Sequence, residues 1–349
     1  MSNVALHGVN LTGWLSLEPW ISSEYFAQAN TLDELGLVQV LSHEEYDELI
    51  RAHRRYFIDE DDFKNIAARG FNAVRISVPW YVFGNAGPIK SPFIGCADVL
   101  DNAFDWADEL GLKIIMVLTI QPGNEGKLAD VVPEFSSFTE YKPQMINVLA
   151  ALAKRYAFRA ALAGIEVASN PKVKQRVGFH TTGGIAFHQL RNYYREAYHT
   201  IRTYAGDDVF VIMPDAQKPL AWKQFMAAGH YKNTMIDVHL DHFDDYFGMT
   251  GIMSMQQLVQ HARSYIAQAE KTGFRVMVGT WCAALPGLDS TTTPEGHIAY
   301  ERIYTSDQLA LYKSCAAWFF QTWKTENRLS GWDARTTFSS FERGMLCAR

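Results

Sequence analysis

Eight apolar runs rich in β-branched residues recur along this chain, and stretches with helical spacing separate them. The runs fall near 4–9, 72–78, 113–118, 164–169, 208–214, 235–240, 275–280 and 316–322. Between them the apolar residues return every three or four positions. Examples are Phe63, Ile66 and Ala67; Phe104, Ala107 and Leu110 ahead of Gly111; and Met145, Val148, Leu149 and Leu152. The segments 185–203 and 253–271 repeat the pattern. Eight strands with helical crossovers predict a (β/α)8 TIM barrel, and 349 residues suit one such barrel as a single α/β domain. No internal repeat, low-complexity tract or linker divides the chain. Residues 26–57 stand between the first strand and its helix, and are expected to form an insertion at the rim or the floor.

Barrel geometry decides which residues can meet. Sites in this architecture gather at the C-terminal ends of the strands. That rule draws Thr12–Trp20, Ser77–Trp80, Thr119–Asn124, Ser169–Asn170, Asp215, Asp241–Asp245, Thr280–Cys282 and Trp323 toward one bowl.

Charge and composition exclude several partners. A net charge of −6 gives no electrostatic footprint for nucleic acid. No apolar run approaches the roughly 18 residues a membrane span needs. The start, Met1 to His7, lacks a basic segment followed by an apolar one, so a cytoplasmic location is expected. The four cysteines, Cys96, Cys282, Cys315 and Cys347, form no CxxC pair and no zinc-like spacing with histidine. Neither a metal nor a cofactor is expected.

Five segments in order carry a family signal. They are Asn10-Leu11-Thr12-Gly13-Trp14-Leu15 with Leu17-Glu18-Pro19-Trp20-Ile21; Asp61-Asp62-Phe63-Lys64 leading to Gly70-Phe71-Asn72-Ala73-Val74-Arg75-Ile76; Gly164-Ile165-Glu166-Val167-Ala168-Ser169-Asn170-Pro171; Val278-Gly279-Thr280-Trp281-Cys282; and Trp323-Lys324-Thr325-Glu326. Together they resemble glycoside hydrolase family 5, in its exo-β-1,3-glucanase-like branch. In that family the third segment ends in Asn-Glu-Pro and the fourth reads Gly-Glu-Trp. Those two glutamates are the acid/base and the nucleophile, and here Asn170 and Thr280 stand in their places.

The resemblance implies further changes at the reacting subsite. The family's histidine after the third strand is Thr119, the asparagine before the acid/base is Ser169, and the tyrosine beyond His239 is Asp241. Retaining glycosidases need two carboxyl groups about 5–5.5 Å apart. An asparagine donates no proton at neutral pH, and a threonine hydroxyl is a poor nucleophile without a base. Asp241, His239 and Cys282 are the replacement candidates. The bland alternatives are a solvated loop for Asp244 and Asp245, a satisfied core histidine for His239 and a buried thiol for Cys282. Glu166 shares the strand parity of Asn170 but lies about 13 Å deeper, which gives it a structural role in the barrel.

The resemblance leaves a binding wall in place: Glu18, Trp20, Arg75, His239, Trp281 and Trp323, joined by Thr119, Ser169, Asn170, Asp241 and Thr280. The expected partner is a carbohydrate or sugar-like small molecule. The expected function is that of a carbohydrate-binding pseudo-glycosidase. The alternatives are rebuilt chemistry on a sugar-like substrate and weak glucanase activity through a relocated carboxylate. Arg75 sets one further expectation. With Thr280 in place of its glutamate partner, its charge needs compensation, and pairing with Asp241 is favoured over an open anion site.

Overall fold

The computed structural model describes residues 5–88, 91–119, 137–177, 180–181, 183–241, 254–285 and 293–341. The chain opens with β1 (Leu6–Leu11), β2 (Ala73–Pro79), β3 (Lys113–Thr119) and β4 (Leu162–Glu166). A short antiparallel hairpin of β5 (Arg176–Val177) and β6 (His180–Thr181) follows. Then come β7 (Phe210–Pro214), β8 (Thr234–His239), β9 (Arg275–Trp281) and β10 (Ala317–Phe320). The eight strands other than the hairpin pair in parallel and close on themselves, with β10 beside β1. The expected (β/α)8 barrel is therefore the fold.

Helices over Glu60–Ala68, Ala97–Leu110, Phe138–Tyr156, Phe187–Tyr204, Lys223–Gly229, Met255–Glu270 and Pro294–Tyr312 follow successive barrel strands. Local chemistry sets their ends. Asp59 and Asp62 form a reciprocal capping box at one start, and Gly111, at φ 69°, closes the helix that precedes it. The last of these helices escapes the sequence pattern because it has no single apolar stripe. Ile298, Tyr300 and Ile303 on it are exposed.

The barrel interior is layered. At its floor Leu6, Ala73, Ile115, Ile212, Met235, Met277, Ala317 and Phe319 form an apolar cluster. The leucine, isoleucine, methionine and phenylalanine side chains among them contribute about 1.5–3 kcal/mol each when fully buried. One turn of the strand pleat higher, the same inward-facing rows carry Asn10, Arg75, Glu166 and Asp237, all at most 5% exposed. A polar layer thus rests on an apolar plug, beneath the strand ends.

Strand boundaries differ from the sequence reading mainly at β1, which runs two residues later, and at β4, which ends at Glu166. Val167 still donates its backbone N–H to Ile212 O at 3.1 Å, and beyond it Asn170 takes a left-handed conformation, at φ 40°. The segment between β1 and the helix at Glu60 carries three helices, Ser23–Ala29, Glu34–Val40 and His43–Tyr56. They share a small core of Phe26, Leu37, Tyr46 and Ile50 with Leu17, Tyr81 and Phe93 from the neighbouring strand-end loops.

Candidate active site at the barrel mouth

Arg75 organises the polar layer. Its Nε and Nη2 donate to the two carboxylate oxygens of Glu166 at 2.9 and 2.8 Å, a fork-to-fork pair. Its Nη1 donates to Asn10 Oδ1 at 2.8 Å, and Nη2 lies 3.5 Å from Asp237 Oδ2. Asp237 accepts from the backbone N–H of Gly279 at 2.7 Å and bonds His239 Nε2 at 2.9 Å. The expected Arg75–Asp241 pairing is therefore corrected. Compensation comes from Glu166 and Asp237, which point into the barrel from β4 and β8 at the level of the guanidinium.

The charges tune one another. Burial opposes charging of His239, but the Asp237 carboxylate outweighs it and lifts the imidazole to about 9. Burial would also raise Asp237, yet His239 and Arg75 hold it below the usual carboxylate range. Burial, and then the nearby Asp237, push Glu166 upward against the pull of Arg75. Glu166, Asp237 and His239 offer ligand atoms within 4.8 Å of one another, a metal-like arrangement. Arg75 already supplies the cation there, and a metal ion would have to displace it.

These shifts give a signed pH prediction. The raised imidazole contributes stability that is complete below about 6.5, its ordinary value, and is lost as pH rises through about 9. The raised Glu166 works in the same direction at lower pH. Unfolding free energy is expected to fall by about 1–3 kcal/mol from pH 6.5 to pH 10. His239→Gln should flatten that slope. An equally steep slope in the variant would show that other groups set it.

Above the polar layer lies a narrow pocket with a cavity volume of about 10 Å³, partly open to solvent. Asn170, Pro171, Pro214, Asp215, Ala216, Gln217, Asp237, His239, Asp241 and Tyr265 line it. Of the candidate residues, Asn170, His239 and Asp241 meet here. Thr280, directly opposite His239 in the β8–β9 register, and Thr119, whose hydroxyl donates to Val78 O at 3.1 Å, end neighbouring strands at the same mouth. Ser169 is half-buried beside Asn170. Glu18 is half-buried and Trp20 exposed, and the Trp20 indole N–H donates to Glu18 Oε2 at 2.9 Å. Burial raises the Glu18 carboxyl, with the Trp20 bond opposing. The Trp20 ring meets Trp332 edge to face at 5.6 Å.

Three candidates are corrected. Trp281 is fully buried among Tyr312, Trp318 and Phe320, on the outer side of the sheet, because a bulge in β9 between Val278 and Trp281 shifts the register there. Trp323 is buried too, donating to Asp62 Oδ1 at 2.8 Å on the helix ahead of β2. Gln321, half-buried and bonded to the Thr12 hydroxyl, is the residue that β10 sends to the mouth. Cys282 is buried with its thiol directed at the carbonyls of Asp241 and Ala284, and burial holds it protonated, far from a reactive thiolate. Asn124, Asp244 and Asp245 lie outside the described residues.

The sequence reading missed Asp237, Tyr265, Ala216 and Gln217. Asp215 accepts from Tyr265 Oη at 2.5 Å and from the Gln217 backbone at 3.0 Å, and burial pushes it up to about 6. Ala216 and Gln217 are left-handed, at φ 51° and 58°. With Asn170 they place three such residues on one pocket, and strained backbone of this kind clusters at functional sites. Asp237 had a legible signal, since a carboxylate inside an apolar strand requires a buried partner. Tyr265 comes from a distant helix and left no signal.

Comparison with known proteins agrees with this architecture. The family model described as Cellulase (glycosyl hydrolase family 5) matches residues 40–297. A probable glucan 1,3-beta-glucosidase A of Emericella nidulans is 30% identical over 375 residues, covering 94% of this chain and 87% of that protein. The glucan 1,3-beta-glucosidase of Blumeria graminis is 26% identical, covering 93% and 84%. Among solved structures, a rutinosidase from Aspergillus niger superposes with a TM-score of 0.75 at 16% identity over 98% of both chains. The endoglucanase Cel5A of Thermotoga maritima gives 0.59 at 16% identity, over 98% of this chain and 95% of that one. These two share the fold. From the family match, the full-length relatives and the barrel itself, the chain belongs to glycoside hydrolase family 5, in its exo-β-1,3-glucanase-like branch.

Proposed function

We propose that this chain is a carbohydrate-binding family 5 barrel without the retaining double-displacement chemistry. The observation that carries the reading is the pair at the mouth ends of β4 and β9, Asn170 and Thr280, where a retaining mechanism needs two carboxyl groups. The carboxylates directly below them do not substitute. Glu166 is tied by both oxygens to Arg75, and Asp237 is held by Gly279 and His239. Neither is a free proton donor or nucleophile. Relatives named as glucan 1,3-beta-glucosidases make a β-glucan-type sugar the ligand class.

The purified protein is expected to hydrolyse aryl β-glucosides and β-1,3-glucan at trace rate only, while binding laminari-oligosaccharides in a calorimeter. Robust turnover with retained configuration would overturn the reading. Restoring both glutamates, Asn170→Glu with Thr280→Glu, is expected to leave the protein nearly inactive. Thr119, Ser169 and Asp241 would be unchanged, and position 170 sits at φ 40°, where asparagine is tolerated better than glutamate. Strong activity from that double change would show that the supporting residues matter little.

One observation favours a second reading, rebuilt chemistry on a sugar-like substrate. Asp215, pushed up to about 6, shares the pocket with His239, and an acid near the working pH suits proton transfer. On this reading some turnover exists and Asp215→Asn abolishes it. Turnover that survives Asp215→Asn would exclude the role.

A further inference from the structure

The segment that presents Glu18 and Trp20 is held from outside itself. Residues 12–20 form turns and bends with no helix or strand of their own. Thr12 is tied to Gln321 and Thr322 and Trp20 packs on Trp332, while the stretch from Gly13 to Leu17 is anchored by the three-helix insertion. His53 Nε2 meets Gly13 O at 2.7 Å, and burial keeps that imidazole neutral, with its value lowered to about 4, so the ring N–H donates. Trp14 donates to Arg54 O at 2.8 Å, and Arg54 Nε donates to Leu15 O at 2.9 Å. The backbone N–H of Leu17, next to Glu18, donates to Glu34 Oε2 at 2.9 Å.

Glu34 is the junction. Only 8% exposed, it also accepts from Tyr46 Oη at 2.6 Å and Tyr81 Oη at 2.8 Å. Tyr46 belongs to the insertion and Tyr81 to the loop after β2. One carboxylate therefore ties three chain segments together. Charge-assisted bonds of this kind are the stronger class, and their acceptor has no water to fall back on when buried.

We propose that Glu34 is a positioning residue for the ligand-facing wall: by fixing Leu17 it sets where the Glu18 carboxylate and the Trp20 ring stand at the mouth. The insertion is then part of the binding site. The ligand half of this inference rests on the proposed carbohydrate-binding function, and the positional half does not.

The test uses the full chain labelled with 5-fluorotryptophan, with the Trp20 resonance assigned by Trp20→Phe. Glu34→Ala is expected to shift or broaden the Trp20 resonance while that of buried Trp318 stays in place. Affinity for laminaritriose should fall about tenfold, and Trp20→Ala combined with Glu34→Ala should lose little more than either alone. Glu34→Gln, which keeps an acceptor oxygen for Leu17, should restore most of the wild-type spectrum. An unchanged Trp20 resonance in folded Glu34→Ala would overturn the proposal, as would fully additive losses. If Glu34→Ala does not fold, Tyr46→Phe and Tyr81→Phe each remove one bond to the same carboxylate, and an unmoved Trp20 resonance in both would overturn it equally. Failure of the wild type to bind laminaritriose would count against carbohydrate binding, while the resonance still decides the positional claim.

Discussion

Replacing Arg75 by methionine is expected to lower the unfolding free energy by about 3–5 kcal/mol, because it leaves buried charge without its partner. Methionine fills much of the same volume, so the cost is electrostatic. The guanidinium makes two bonds to Glu166, one to Asn10, and approaches Asp237 at 3.5 Å. Both carboxylates are fully buried. Without Arg75, His239 alone would face two acids. Arg75→Lys should recover only part of the loss, since an ammonium cannot span both oxygens of Glu166 as the planar fork does. A cycle with Glu166→Gln gives the decisive number. In denaturant titrations the double variant Arg75→Met with Glu166→Gln should be more stable than Arg75→Met alone. Strict additivity of the two changes would mean that the pair is not the source of the cost.

The same layer shows what was legible beforehand. Alternating apolar strands and helical spacing specify the barrel and its mouth, because burial of parallel strands on both sides writes itself into the sequence. The positions of Asn170, His239 and Asp241 follow from strand ends alone. What Arg75 bonds did not follow, because the family pattern drew attention to the rim, where Asp241 stands, and away from the strand interiors. Period-two parity gives Glu166 its inward row, and the same rule would have added Arg75 and Asp237. Trp281 is different, since the register shift between Val278 and Thr280 breaks the period-two pattern and turns it outward, and no local pattern announces that shift. Trp323 fails for another reason. β10 ends at Phe320 and the chain then turns, so parity cannot be extended to 323, and the side chain goes to Asp62. Tyr265 and the bonds from Glu34 to the 13–20 segment depend on how separate helices dock, and no local pattern encodes that.

Gly279→Ala is the second change expected to have a large effect, and it reaches the ion network through the backbone. Gly279 donates its N–H to Asp237 Oδ1 at 2.7 Å, and its carbonyl accepts from Asn10 Nδ2 at 2.9 Å. Asn10 in turn accepts from Arg75, so the glycine closes a ring through all three side chains. A Cβ at this position would press on both Asp237 oxygens and lie 2.6 Å from Asp237 Cγ. An exposed carboxylate would swing aside, but this one is held by Gly279, His239 and Arg75 together. Either the strand shifts or Asp237 leaves its partners. Overpacking and a broken buried pair combine to an expected loss of about 2–4 kcal/mol. The loss should carry a second signature. With Asp237 displaced, His239 loses what lifts it to about 9, and its titration followed by NMR should move back toward its ordinary value near 6.5. A Gly279→Ala protein within about 0.5 kcal/mol of the parent, with His239 still titrating near its original value, would mean that the carboxylate is far less tightly held than its bonds imply.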